Sequence, residues 1–358
     1  MSVDLTSADL RAAVQAGYLT EAQAANLQAL AANRIANRPE PDDEPFEMFR
    51  GFSEIFISVG LIILMTGLVG VSALMTSPLL VPAFCVVLSA VLAQYFTIRR
   101  RMVLPSIVLV CTYGAAVSAL ITWYAFANLL DVAEPQTITA IALALIMAAL
   151  LVWYRIFRLP FTMLLIGLAG VLLAVALIAP SDVYAFMSGV NMTSIMSLTS
   201  GSGVPFATLG AGLVAAAVAL RFDMRDPHRL GRASASAFWL DLVAAPAIVN
   251  TLGQTAMAME GGARLLTMAL ALLVMALYAL VIDRRSFLTA GLGYLAWLIW
   301  MLGNQDGRGL DWPVILILIG GAVTALGAWW VPLRAALMRT LPQFPGKNRL
   351  PPYAKGDL

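Results

Sequence analysis

The stretch SEIFISVGLIILMTGLVGVSALM, Ser53 to Met75, decides the fold. Its one ionisable residue is Glu54, at its start. An α-helix rises about 1.5 Å per residue, so about 20 apolar residues cross a hydrocarbon core roughly 30 Å thick. In lipid the backbone must satisfy its own hydrogen bonds, and a helix does so within one segment. The stretch therefore predicts a membrane-spanning helix. Nine more segments of this kind follow, at 79–98, 103–127, 137–154, 160–179, 204–220, 235–253, 265–282, 286–303 and 313–332.

Composition agrees with that reading. Of 358 residues, 61% are hydrophobic and only 12% charged. The mean hydropathy is +0.86. A soluble domain averages about 45–50% apolar and about 25% charged residues. So few charges exclude a water-covered globular enzyme. A net charge of +2 excludes a nucleic-acid binder, and the apolar content excludes a disordered chain. The expected fold class is all-α: a polytopic bundle of about ten transmembrane helices.

Charge placement supplies the orientation. The turns on one side carry Arg99, Arg100, Arg101, Arg155, Arg158, Arg221, Arg225, Arg229, Arg232, Arg284 and Arg285. The two terminal segments lie on that side and add nine more Lys or Arg. The other side has only Arg264 and Arg308 of the 22 basic residues, beside Asp131, Glu134, Asp182, Glu260, Asp306 and Asp311. The positive-inside rule makes the basic side cytoplasmic, with both termini inside. Trp153, Trp239, Trp329 and Trp330 fall near inner ends, and Trp123, Trp300 and Trp312 near outer ends, as an interfacial belt predicts.

Three regions follow: 1–45, 46–340 and 341–358. The first reads as a small cytoplasmic helical hairpin with an acidic, Pro-rich linker at Pro39 to Pro45. Gly17 is placed to stop its first helix, and Thr20 with Gln23 forms a capping box for its second. No cleavable leader is expected, because the first 45 residues hold no apolar run of that kind. The ten-span bundle occupies 46–340. The tail begins amphipathic, with Leu333, Leu337 and Leu341 against Arg334 and Arg339, and ends Pro-rich. The outer connection 180–203 is unusually long, and helical spacing of Val183, Phe186, Met187 and Val190 predicts an interfacial or re-entrant helix. Cys85 and Cys111 belong to opposite leaflets in this topology and are not expected to pair.

Ionisable residues within a membrane are costly and default to functional candidates. Asp241 is the foremost, about two turns into the seventh span within FWLDLVAAP, Phe238 to Pro246. Pro246 removes a backbone donor, so this span is expected to be broken. Asn250 and Gln254 follow at its outer end, and Gln94 lies at the depth of Asp241 in the second span. These four are the candidate substrate path: Asp241, Asn250, Gln254 and Gln94. Glu54 and Asp283 form a candidate polar cluster on the cytoplasmic face, for which helix-end caps and ion pairs are the competing reading. Asp223, Asp226 and His228 read as a solvated loop rather than a metal site. Gly60, Gly67, Gly70, Gly167, Gly170, Gly210, Gly212, Gly320, Gly321 and Gly327 read as packing positions that let helices approach closely.

The chain has no Gly-rich phosphate loop, no His-Glu-x-x-His and no Gly-x-Ser-x-Gly. A non-enzyme with no cofactor is expected. Its partners are the lipid bilayer and an unknown solute, with a protein partner or a second copy as further possibilities and no nucleic acid.

Gly17-Tyr18-Leu19-Thr20 with Gln23, Asp226-Pro227-His228-Arg229, Phe238 to Pro246, Asp283-Arg284-Arg285, Trp330-Val331-Pro332-Leu333-Arg334 and Leu350-Pro351-Pro352 give the chain a resemblance. It resembles uncharacterised bacterial predicted inner-membrane proteins that begin with a short soluble helical module. The resemblance implies the bacterial inner membrane and brings no activity with it. Ten spans with both ends inside also resemble drug/metabolite-type exporters, an analogy of span count alone. The expected function is a transporter-like protein moving a small or lipid-linked solute. The alternative is a non-enzymatic assembly or regulatory subunit that recruits a cytoplasmic partner through its N-terminal hairpin.

Overall fold

The structure is a computed structural model. It describes residues 52–72, 79–189, 192–226, 231–259, 262–284 and 327–343, with isolated positions within 13–23, 317–325 and 347–350. The chain divides into two compact units, Met1–Phe46 and Glu47–Leu358.

In the first unit the capping box is formed. The Thr20 amide donates to Gln23 Oε1 at 3.0 Å, and the Gln23 amide donates to Thr20 Oγ1 at 3.3 Å. Two donors that a helix start leaves unpaired are thereby satisfied. The Tyr18 amide donates to Ala13 O at 2.9 Å, the six-residue closure of a helix C-terminus. The acidic linker and the rest of the second helix lie outside the described residues.

All regular structure described in the second unit is helical. The long helices are α1 (Phe52–Ser72), α2 (Leu80–Ala93), α3 (Val103–Leu129), α4 (Pro135–Phe157) and α5 (Thr162–Ile178). Short α6 (Val183–Ser188) and α7 (Met192–Ile195) precede α8 (Val204–Asp223), α9 (Arg232–Met257), α10 (Gly262–Ile282) and α11 (Trp330–Thr340). The α2 helix continues through a π-helical turn, Gln94–Arg99. Among the described residues, six helices are long and apolar enough to cross a membrane: α1, α2 with its π-turn, α3, α4, α8 and α9. A seventh crossing results if α5 and the bent segment Pro180–Ser188 are one span. The expected eighth segment, 265–282, falls within the 21-residue helix α10. The expected ninth, 286–303, lies outside the described residues. Within the expected tenth, the described positions are helical up to Ala328, and Trp329 forms a turn before α11.

The bundle grows by hairpins. The α1 and α2 helices pack on α3, α3 on α4, and α4 on α5. The α5 helix packs on both α8 and α9, α9 on α10, and α10 on α11. Small residues set the closest approaches. A Cβ at Gly212 would stand 2.9 Å from Ile248 Cγ1 and 3.3 Å from the Ala244 carbonyl, so α8 and α9 nearly touch backbone to backbone. A Cβ at Gly167 would stand 3.1 Å from Leu240 and Val243 of α9. Among the described residues, nothing stands within 4 Å of such a Cβ at Gly60, Gly67, Gly70, Gly170, Gly210, Gly320, Gly321 or Gly327.

The expected outer-face element exists as a break. Helix α5 and Pro180–Ser188 are bent by 119°. Val183 and Met196 fold inward with Ala179, Val204 and Ala207 into one apolar cluster. Both cysteines are free. The tryptophan belt needs correction at two positions. Trp153 is buried between Tyr113 and Phe157, each with ring centroids 4.3 Å away. Trp330 is buried and hydrogen-bonded within the protein. Flat, large rings at helix ends serve as core there, whereas Trp123 and Trp329 are exposed.

Candidate functional site

The α8 helix turns one face of small residues inward: Gly212, Ala215, Ala216 and Ala219. The next position on that face is Asp223, its last residue. The buried face of α9 reads Ser234, Ala237, Asp241, Ala244 and Ala245, at helical spacing. Alanines across this contact bring α8 and α9 together and carry both carboxylates into the interior. Arg284, two residues past the end of α10, enters the same place. Arg284 and Asp241 are 1% exposed and Asp223 is 2% exposed.

Arg284 binds both sides of the contact. Its Nε donates to Asp223 Oδ2 at 3.2 Å, and its Nη2 donates to Asp223 Oδ1. The same Nη2 donates to the Ser234 carbonyl at 2.7 Å and to Ser234 Oγ at 3.0 Å. Its Nε also lies 3.9 Å from Asp241 Oδ2. One arginine is thus shared by carboxylates on two helices, with the fork engaged bidentately by Asp223. Tyr278 of α10 closes one flank, its hydroxyl donating to the Ala216 carbonyl at 3.3 Å.

A second cluster is joined to the first through the backbone. Asp283 takes the left-handed conformation, φ 58°, that ends α10. The Arg284 amide then reaches back to Ala279 O at 2.9 Å. Glycine usually holds that position, because a Cβ is strained there. Here an aspartate holds it, and its carboxylate accepts from Trp330 Nε1 at 2.7 Å, with Arg334 Nε 3.5 Å away. Arg334 Nε also donates to the Leu280 carbonyl at 3.2 Å, one of the acceptors the helix end leaves over. The amphipathic reading of α11 is therefore rotated. Trp330, Arg334 and Met338 are buried, and Leu333 is exposed. The helix presents an arginine inward because Asp283 and an orphan carbonyl wait there.

The six expected site residues fall in different places. Asp241 lies at the centre of the arginine cluster, and Asp283 adjoins it. Glu54 is a helix cap: its Oε2 accepts from the amides of Val103 and Leu104 at 3.2 and 3.3 Å, at the start of α3. A carboxylate suits that positive helix end. It belongs with α1 and α3, not with Asp283. Gln94 is exposed and opens the π-helical turn. Helix α9 runs unbroken through Pro246, contrary to the expected interruption. Asn250 therefore stays about half a turn around the helix from Asp241 at about 100° per residue. Gln254 is buried near the far end of α9.

That far end is closed by neutral hydroxyls. Thr208 Oγ1 of α8 and Thr251 Oγ1 of α9 are 2.8 Å apart. The Leu198 amide donates to Thr255 Oγ1 at 3.0 Å, pinning the segment after α7 onto α9. Ser202 Oγ donates to Asp182 Oδ2 at 2.5 Å.

Sequence reasoning missed Asp223, Ser234 and Arg334. Asp223 adjoins the loop sequence of Asp226 and His228, yet it extends the buried stripe Ala215, Ala216, Ala219 at the same spacing, and that periodicity marks it as inward. Asp226 is also engaged, its Oδ2 accepting from Gly231 N at 2.7 Å and Ser234 N at 3.4 Å at the start of α9.

Comparison with known proteins found no matching family model, no matching curated protein and no matching solved structure.

Proposed function

We propose that this multi-pass membrane protein is a carrier of the bacterial inner membrane, moving a small or lipid-linked solute, with both termini cytoplasmic. The observation that carries the reading is Arg284 shared between Asp223 of α8 and Asp241 of α9 at 1–2% exposure. Buried ion pairs give little net stability, because desolvation offsets the attraction. Charges kept inside a bundle mark solute paths, relays or gates by default. An arginine that can lean on either carboxylate is suited to holding three helix ends together and releasing them. The hydroxyl contacts at Thr251 and Thr255 close the other end of the same helix pair, so the described bundle fits a state shut at both ends.

The test is access from water. Ala237 is fully buried one turn from Asp241. In a Cys85→Ala/Cys111→Ala background, Ala237→Cys should react with a membrane-impermeant maleimide within minutes in reconstituted vesicles. Asp241→Asn should change that rate severalfold while leaving the amount of folded protein unaltered. A cysteine that stays unreactive in folded protein would sink the carrier.

The formed capping box at Thr20 and Gln23 favours a second reading, an assembly subunit that recruits a partner through residues 1–46. Deleting that unit separates the two. A carrier keeps its labelling pattern, whereas a recruiting subunit loses its cellular role.

A further inference from the structure

Two hairpin turns at one end of the bundle are basic and lie side by side. The first joins α2 to α3 and holds Arg99, Arg100 and Arg101; the second joins α4 to α5 and follows Arg155 with Arg158. Phe96 of the π-helical turn packs in the cluster that contains Trp153, Phe157 and Leu159, so the two turns are neighbours. All five arginines are exposed. The ion pairs seen among the described residues lie elsewhere, at Arg284 and Arg334. Arg100 is held in place by Tyr95, with Nε donating to the hydroxyl at 3.1 Å and the guanidinium 5.6 Å from the ring centre.

The backbone adds a second observation. Arg101 and Arg158 both have left-handed φ, 53° and 50°. Glycine or asparagine fits such positions with less strain, and arginine is a poor choice on conformational grounds. Both turns nevertheless place a guanidinium there. Beside them stand exposed apolar side chains on the flanks of the helices: Ile98, Val152 and Ile156. A partner of this surface meets cations and hydrocarbon at once.

We propose that the paired turns bind the headgroup of an anionic phospholipid, with its acyl chains along the exposed faces of α2 and α4. Guanidinium forks match phosphate oxygens bidentately. A soluble polyanion would find the charges but leave the apolar flank without a partner. The proposal is independent of whether the protein carries a solute.

The test uses the full chain in detergent with phosphatidylglycerol, cardiolipin or zwitterionic phosphatidylcholine added, read by lipids retained in native mass spectrometry and by melting temperature. Anionic lipid should be retained at least tenfold better than phosphatidylcholine and should raise the melting temperature by several degrees. Arg101→Gly with Arg158→Gly should abolish that rise, while the protein without added lipid melts no lower than the wild type, because glycine relieves both turns. Arg99→Gln with Arg155→Gln should reduce retention in the same direction. Arg221→Gln with Arg225→Gln, at a different turn, should leave it unchanged. Equal losses from both sets of turns would show a diffuse positive field and overturn the site. So would retention that free inorganic phosphate at millimolar concentration displaces completely, since the hydrocarbon contact would then contribute nothing.

Discussion

At the scale of single residues, the buried charges divide by what each one touches. Glu54 satisfies two amides of a helix start, and Asp283 holds a tryptophan and an arginine at a helix end. Glu54 thus acts as a helix cap, and Asp283 as the partner of two side chains on α11. Asp241 differs because it shares its arginine with a second carboxylate on another helix. Removing the arginine leaves two carboxylates buried without it, and breaking a buried pair from one side costs about 3–5 kcal/mol. Arg284→Met should therefore lower the unfolding free energy in detergent by that amount, measured by thermal or denaturant melts. Asp241→Asn, which keeps shape and hydrogen-bonding atoms, should cost under about 2 kcal/mol. If the two variants destabilise equally, Asp241 is a structural partner of the same rank as Arg284. At Asp283, glycine would relax φ but lose the Trp330 and Arg334 contacts. Asp283→Gly should thus destabilise despite the better backbone fit, and it should shift the fluorescence of Trp330.

Helices extend the same logic through spacing. Among the described residues, the glycines divide into those with a neighbouring helix against them and those without, and nothing in their spacing tells the two apart. Gly212 faces Ala244 and Ile248, whereas Gly210, two residues away, has open space. Gly212→Val should push α8 off α9 and cost roughly 1–3 kcal/mol as an overpacked site. Gly210→Val should change stability by less than about 0.5 kcal/mol, since outward substitutions seldom matter. Paired melting curves decide this, and similar losses at both positions would refute the close α8–α9 contact. Apolar length made the helices legible, because twenty residues without charge have few other stable fates in lipid. Which face turns inward was legible only where small residues recur at helical spacing. Asp223 obeys that rule and could have been found by it. Arg334 could not, because its burial depends on Asp283 and Leu280, about fifty residues away in sequence. Pro246 misled for a related reason. It lacks a donor, but an exposed site on a long, well-packed helix tolerates one missing bond without a break.

For the whole molecule, orientation is the property on which every functional reading depends. Alternate helices place the turns 130–134 and 158–161 at opposite ends of α4. The first carries Asp131 and Glu134, the second Arg158 beside Arg155. The turn after α8, with Arg225, shares the basic end if α5 and its bent extension cross once. Arginine at a bilayer centre costs at least about 2.5 kcal/mol on insertion scales, and the bias acts through short loops such as these. Single cysteines at Ala133 and Arg225 in a Cys85→Ala/Cys111→Ala background should therefore label from opposite sides of intact spheroplasts. Ala133→Cys should react with an impermeant maleimide directly, and Arg225→Cys only after the membrane is opened. Labelling of both from outside would mean that the bent segment does not complete a crossing and turns back within one leaflet. In that case the arginine cluster at Asp223 would lie toward the periplasmic face rather than the cytoplasmic one. The labelling thus fixes the number of crossings before α8 and the compartment from which Arg284 is reached.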